Sequence, residues 1–164
     1  MIELRVLTPD DWVRWRELRL VALADAPYAF ASALADWQGD GDREERWRAR
    51  LSIPDSYHVL AELGGRPVGM VSGVLEPRDG AVDLISLWVA EEARGQGVGD
   101  HLVRAVVHWA VRRGAEVVRL AVTPGNVHAV ALYRRHGFGD TGQLGDQMPD
   151  GQQERLLVKR LHAG

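Results

Sequence analysis

The chain has 164 residues, a length that suits one compact domain, residues 1–164. Apolar residues (46%) supply a core and charged residues (26%) an ordinary solvated surface, which excludes a disordered chain. A net charge of −3 argues against a nucleic-acid partner, and the absence of cysteine excludes disulfides, thiolate metal sites and a cysteine nucleophile.

The opening MIELRVLTPDDW lacks the basic and apolar regions of a secretion signal. No apolar run approaches the ~20 residues of a membrane span. The expectation is a cytoplasmic protein with no membrane partner. Ile2 to Val6 reads as a short strand. Thr8-Pro9-Asp10-Asp11 then reads as a helix start, with a capping threonine, a proline suited to the first turn and acids facing the dipole. Trp15, Leu18 and Ala22 give that helix an apolar face. Asp25 to Asp42 reads as a helical turn or two and a loop, and Arg43 to Leu51 as a helical piece stopped before Pro54.

Three strands follow: Tyr57–Leu63, Pro67–Leu75 and Ala81–Val89. The turns Gly64-Gly65 and Pro77-Arg78-Asp79-Gly80 join them, so they should pair as an antiparallel meander. The period then changes. Val98, Leu102, Ala105, Val106 and Trp109 form one face of a helix ending near Gly114. Glu116–Val122 reads as a strand and Asn126–His136 as a helix ending at Gly137. Closing strands are expected near Phe138–Gln143 and Glu154–Arg160, around a Pro149-Asp150-Gly151 loop. This mixture implies an α/β or α+β sheet covered by helices.

The stretch most informative about chemistry is Leu87 to Gly99, which runs strand, turn, glycine-rich loop, helix. Glycines at 95, 97 and 99 let a ligand approach the backbone. The helix start offers unpaired N–H groups and a positive dipole end. Together with Arg94 these suit a pyrophosphate. A dinucleotide fingerprint would need G-x-G-x-x-G in a parallel unit, whereas the spacing here is G-x-G-x-G. A P-loop would end in G-K-[ST], whereas this loop ends Gly99-Asp100. A glycine-rich turn with no ligand is the plain alternative.

Arg94-Gly95-Gln96-Gly97-Val98-Gly99 resembles the [QR]-x-x-G-x-[GA] signature of the GNAT N-acetyltransferases. Asn126 to Phe138 resembles that family's N-x-x-A-x-x-L-Y-x-x-x-G-F block, in the same order and at similar spacing. The likeness covers the chain from about Tyr57 onward. It implies a GNAT fold, a mixed and mostly antiparallel twisted sheet of six or seven strands flanked by helices. Acetyl-CoA would lie where Ala81–Val89 and Glu116–Val122 splay apart, and no metal is implied. Leu87-Trp88-Val89 would hold the pantetheine arm through the backbone of Leu87 and Val89. The amides of Arg94, Gly95, Gln96, Gly97, Val98 and Gly99 would hold the pyrophosphate, and Asn126 would contact the cofactor near its pantetheine or its reacting end. Tyr133 would lie beside the sulfur and protonate or hydrogen-bond the departing thiolate.

Read from the residues alone, Asn126 is also a good N-cap, worth ~1 kcal/mol with no ligand. Tyr133 shares a helical face with Ala129 and His136 and suits a core aromatic. The acceptor adds a demand of its own: an amine of pKa ~10.4 is neutral in about one molecule in 10³ at pH 7, a deficit of ~4–5 kcal/mol. A general base meets that demand, and an N–H near Val89 would stabilise the oxyanion. The resemblance implies an acid six positions before Val89, where Asp83 stands in place of a glutamate. Simple alternation puts Asp83 on the face of Ile85, Leu87 and Val89, with a bridging water expected because aspartate is shorter. A solvated acid and an arginine partner are the alternatives. His58, Glu62 and Glu76 are other candidates for the base.

His101, His108, His128 and His136 match no ligand pattern such as H-E-x-x-H and read as solvated or packing groups. Tyr28, Phe30, Trp37 and Trp88 are candidates to wall an acceptor pocket, with core packing as the default for aromatics. The implied activity is direct attack of a bound amine on acetyl-CoA, with the acceptor unspecified. The rivals are a non-catalytic acyl-CoA sensor and a toxin acting on aminoacyl-tRNA, the latter disfavoured by the acidic balance. The apolar C-terminal strand is compatible with a homodimer.

Overall fold

The computed structural model describes residues 1–26 and 34–161. Strand β1 (Ile2–Val6) is followed by a single 3-10 turn, Pro9–Asp11, and helix α1 (Trp12–Asp25). The Asp11 carboxylate accepts the Thr8 N–H at 2.8 Å, which closes the turn expected there. Trp15, Leu18 and Ala22 are buried, as their spacing predicts. Short 3-10 turns at Leu34–Trp37 and Gly39–Gly41 lead to helix α2 (Glu44–Leu51).

The meander forms from β2 (Ser56–Leu63), β3 (Arg66–Leu75) and β4 (Val82–Val89). Then come α3 (Val98–Arg112), β5 (Val117–Val122), α4 (Val127–Arg135), β6 (Gly139–Gln147) and β7 (Gln153–Arg160). The sheet has seven strands in the order β1-β2-β3-β4-β5-β7-β6. Every adjacent pair is antiparallel except β4 and β5. A mixed, mostly antiparallel sheet flanked by helices is the fold that the motifs imply.

Two features of β4 position everything that follows. Its parallel pairing with β5 is confined to Val82↔Val118 and Asp83↔Arg119. Beyond Asp83 the two strands separate, so the edge of β4 from Leu84 to Val89 faces a gap. The second feature is a bulge. Between Met70↔Trp88 and Ser72↔Ile85, β4 carries one residue more than β3, and Ser86 there has a φ of 61°. A bulge inverts which side chains share a face.

The core lies on both sides of the sheet. On one side α3 packs Val98, Leu102 and Val106 over Gly69 and Gly73 of β3. On the other, Trp15 of α1 meets His58 edge-on at 5.5 Å. His58 is in register with Ser72, which is in register with Ile85, so this is the α1 face.

Candidate functional site

The gap between β4 and β5 runs toward the loop that precedes α3. Glu91–Ala93 makes one 3-10 turn, and Arg94, Gly95 and Gln96 are exposed. Gly97 is the N-cap of α3, with a φ of 85°. That left-handed conformation is costly for a residue with a Cβ. A Cβ built at Gly97 would meet nothing within 4 Å, so the space before the helix is open. Gly99 differs. A Cβ there would lie 3.0 Å from Leu132 Cδ2, so this glycine serves the packing of α3 against α4. The loop therefore has the backbone shape and open approach that suit a pyrophosphate at a helix N-terminus.

The side chains around the loop are already engaged. Arg94 Nε donates to the Val89 carbonyl at 3.0 Å, and Arg94 Nη2 donates to Asp25 Oδ2 at 3.0 Å. The same carboxylate oxygen accepts Trp88 Nε1 at 2.9 Å. Asp25 thus ties the end of α1 to β4 and to the glycine loop. Nothing in its sequence surroundings distinguishes it from other acids, so sequence reasoning did not single it out. The Val89 carbonyl keeps a second lone pair for a strand-like ligand.

At the other motif, Asn126 is the N-cap of α4, its Oδ1 accepting Ala129 N–H at 3.3 Å. Tyr133 is 6% exposed and meets Phe138 edge-on at 5.8 Å. Burial raises its pKa, so the hydroxyl stays protonated through neutral pH. Asp100, in the first turn of α3, accepts His136 Nε2 at 2.7 Å and Arg135 Nη2 at 3.1 Å. These contacts lock α4 against the start of α3.

The candidate bases fall elsewhere. The bulge overturns the alternation argument for Asp83. Asp83 and Ile85 share the α1 face, whereas Val89, in register with Gly69, belongs to the α3 face. Asp83 Oδ1 accepts Arg119 Nε at 2.5 Å, and Arg119 also donates to Asp79. Those two carboxylates hold the Arg119 pKa above its ordinary value. The arginine-partner alternative is the geometry observed.

Glu62 is buried beneath Arg5 and Arg14, at 3.5 and 3.7 Å. Glu76 accepts Arg78 N–H within a turn. His58 is 2% exposed, with Nδ1 2.7 Å from Ser72 Oγ and Nε2 2.9 Å from Ser56 Oγ. Burial, reinforced by the charge of Arg50, lowers its pKa to about 4.

Of the proposed pocket aromatics, Trp88 is buried in the core and Trp37 packs on Trp47 at 4.6 Å. Tyr28 and Phe30 lie outside the described residues. His101 Nδ1 lies 2.9 Å from the Gly97 carbonyl. Among the described residues, no group of three His, Asp or Glu side chains is placed to hold a metal ion.

Residues 14–138 match the acetyltransferase (GNAT) family. The chain belongs to that family. It is 35% identical over 161 residues to a mycothiol acetyltransferase of Jonesia denitrificans, across 87% of this chain and 51% of that protein. The chain therefore spans about half the length of this curated relative. The fold matches that of a GNAT acetyltransferase from Streptococcus pneumoniae, with a TM-score of 0.78, 23% identity, and 99% and 100% of the two chains covered. It also matches YncA of Salmonella typhimurium, whose structure contains acetyl-CoA, with a TM-score of 0.77, 19% identity, and 100% and 96% covered. In this GNAT member, the first motif block forms the loop and N-terminus of α3, and the second spans α4 from its N-cap Asn126 to Phe138.

Proposed function

We propose that this GNAT protein transfers the acetyl group of acetyl-CoA to a primary amine by direct attack. The observation that carries the reading is the separation of β4 from β5 beyond Asp83, ending at an open, glycine-rich helix N-terminus. A narrow gap with an unpaired strand edge suits a pantetheine arm, and the helix start suits its diphosphate. The amides of Gly95 to Gly99 hold that diphosphate, the Arg94 N–H being already donated to the Glu91 carbonyl at 3.2 Å, and Leu87-Trp88-Val89 lines the arm.

The amine nitrogen forms a C–N bond to the thioester carbonyl, the C–S bond breaks, and the sulfur leaves as thiolate. Tyr133 donates a hydrogen bond to that sulfur. A thiol of pKa ~8.5 is a stronger acid than a phenol of pKa ~10. Complete proton transfer from Tyr133 is therefore uphill, and its raised pKa makes it more so. Hydrogen bonding to the developing charge is the role that fits.

Asp83, whose carboxylate is taken up by Arg119, is assigned to positioning and not to proton removal. The amine enters as its neutral minority form, and its proton leaves to water. A cytoplasmic setting and a homodimer belong to the same proposal. Among the described residues, no helix is long and apolar enough to cross a membrane.

Release of free CoA thiol from acetyl-CoA, measured across a broad amine panel, tests the reading. Tyr133→Phe should retain acetyl-CoA affinity within about threefold and lose roughly 10–100-fold in kcat. Tight acetyl-CoA binding with no turnover on any amine would instead establish the sensor reading.

A further inference from the structure

Arg50 lies near the end of α2, and its Nη2 donates to Ser86 Oγ at 3.2 Å. Ser86 is the bulge residue with positive φ, directly before the Leu87-Trp88-Val89 edge. The Arg50 guanidinium is thus held against β4 where that strand has already left β5.

Burial lowers the pKa of Arg50. Its charge is felt by two neighbours on the α1 side of the sheet. Arg19, 4% exposed, is lowered to about 9 by burial and then by Arg50. His58 is lowered to about 4 by the same two causes. Two guanidinium groups thus lie on this side of the sheet, Arg19 buried and Arg50 half-buried.

Acids on the flanking elements are paired with other arginines. Asp42 holds Arg16, Glu44 holds Arg48, Asp25 holds Arg94 and Asp83 holds Arg119. Arg50 takes part in no ion pair among the described residues. The segment 27–33, Pro-Tyr-Ala-Phe-Ala-Ser-Ala, contains no carboxylate.

A half-buried guanidinium without a counter-charge is stabilised by an anion that reaches it. Of its five N–H donors, one is directed at Ser86. The planar fork of the rest matches the two oxygens of a carboxylate. Ser86 stands one to three positions before Leu87 to Val89, a span of about 3–10 Å along a strand. That is the reach of a short linker between a carboxylate and an amine.

We infer that Arg50 binds a carboxylate on the acceptor, so that the substrate is an amino-acid-like amine held by its acid group at the β4 bulge while its nitrogen faces the acetyl thioester. This inference rests on the acetyl-transfer reading above.

The test compares kcat/KM, by thiol release, for the common amino acids and for their carboxamides, with spermidine and a lysine peptide amide as carboxylate-free amines. At least one amino acid should exceed its amide by about 100-fold. Arg50→Met should lower kcat/KM for that acid about 100-fold, mainly through KM, and leave the amide within about threefold. Arg50→Lys should recover part of the loss. If Arg50→Met fails to fold, the acid-against-amide comparison on the unaltered protein still decides.

Amides or polyamines that match or exceed every acid overturn this inference alone. An equal loss for acid and amide in folded Arg50→Met, with acetyl-CoA affinity intact, does the same. Acetyl-CoA binding without turnover on any amine overturns the acetyl-transfer reading itself, and this inference with it.

Discussion

Lowering the pH below neutrality should unload stability through His58. In the unfolded chain a histidine titrates near 6.5. In the fold His58 is enclosed by Ser56, Ser72 and Trp15, and its pKa falls to about 4. Between those values the unfolded chain binds a proton that the folded chain refuses. Stability is therefore complete above about pH 6.5 and declines as the pH falls toward 4. A difference of about 2.5 units at 1.36 kcal/mol each gives a loss on the order of 3 kcal/mol from this one group. That is a large share of the ~5–15 kcal/mol that holds a typical domain together. Urea unfolding at half-unit steps from pH 7.5 to 4.5 measures it. His58→Gln keeps a polar side chain at this site but cannot titrate. Its absolute stability will differ, so the quantity compared is the slope with pH. The unaltered protein should show an excess slope approaching 1.4 kcal/mol per pH unit in the middle of the window. Identical slopes in the two proteins would refute the assignment of His58 as a buried neutral group.

Two further outcomes follow from the site. Asp83→Asn should keep kcat/KM within about tenfold, because the Asp83 carboxylate is taken up by Arg119; the partly exposed pair is worth ~1 kcal/mol or less, a fall of no more than about 2–4 °C in Tm. A loss above 10³ in correctly folded protein would restore it as the base. Gly97→Val should weaken acetyl-CoA binding more than tenfold by calorimetry and cost about 1–3 kcal/mol of backbone strain; Gly97→Asn, which tolerates positive φ better, should bind more nearly like the unaltered protein.

Most of the fold was legible in the sequence because its signals are local. The glycine turns, the change of period from Val98 and the Asn126 cap each mark a boundary, and the observed elements begin and end within a few residues of them. The bulge at Ser86 was not legible. It inserts one residue without a glycine or proline to announce it, and it placed Asp83 and Val89 on opposite faces. The ties made by Asp25 and Arg50 were equally hidden. Each joins residues far apart in the chain, 63 positions from Asp25 to Trp88 and 36 from Arg50 to Ser86. No spacing rule reaches that far. The glycine loop and Tyr133 were proposed for the cofactor through shared motifs, whereas isolated side chains such as Asp25 and Arg50 carry no such mark.

The tight fit of Gly99 on Leu132 also fixes a length. Leu132 is the immediate chain neighbour of Tyr133, and Gly99 closes the loop assigned to the diphosphate. The proposed diphosphate end and the proposed sulfur end of the site are thus spaced across one methyl group resting where a side chain is missing. Gly99→Ala would act as a shim, tilting α4 and shifting the phenol from its proposed place beside the sulfur, while every side chain proposed to touch the ligand keeps its chemical identity.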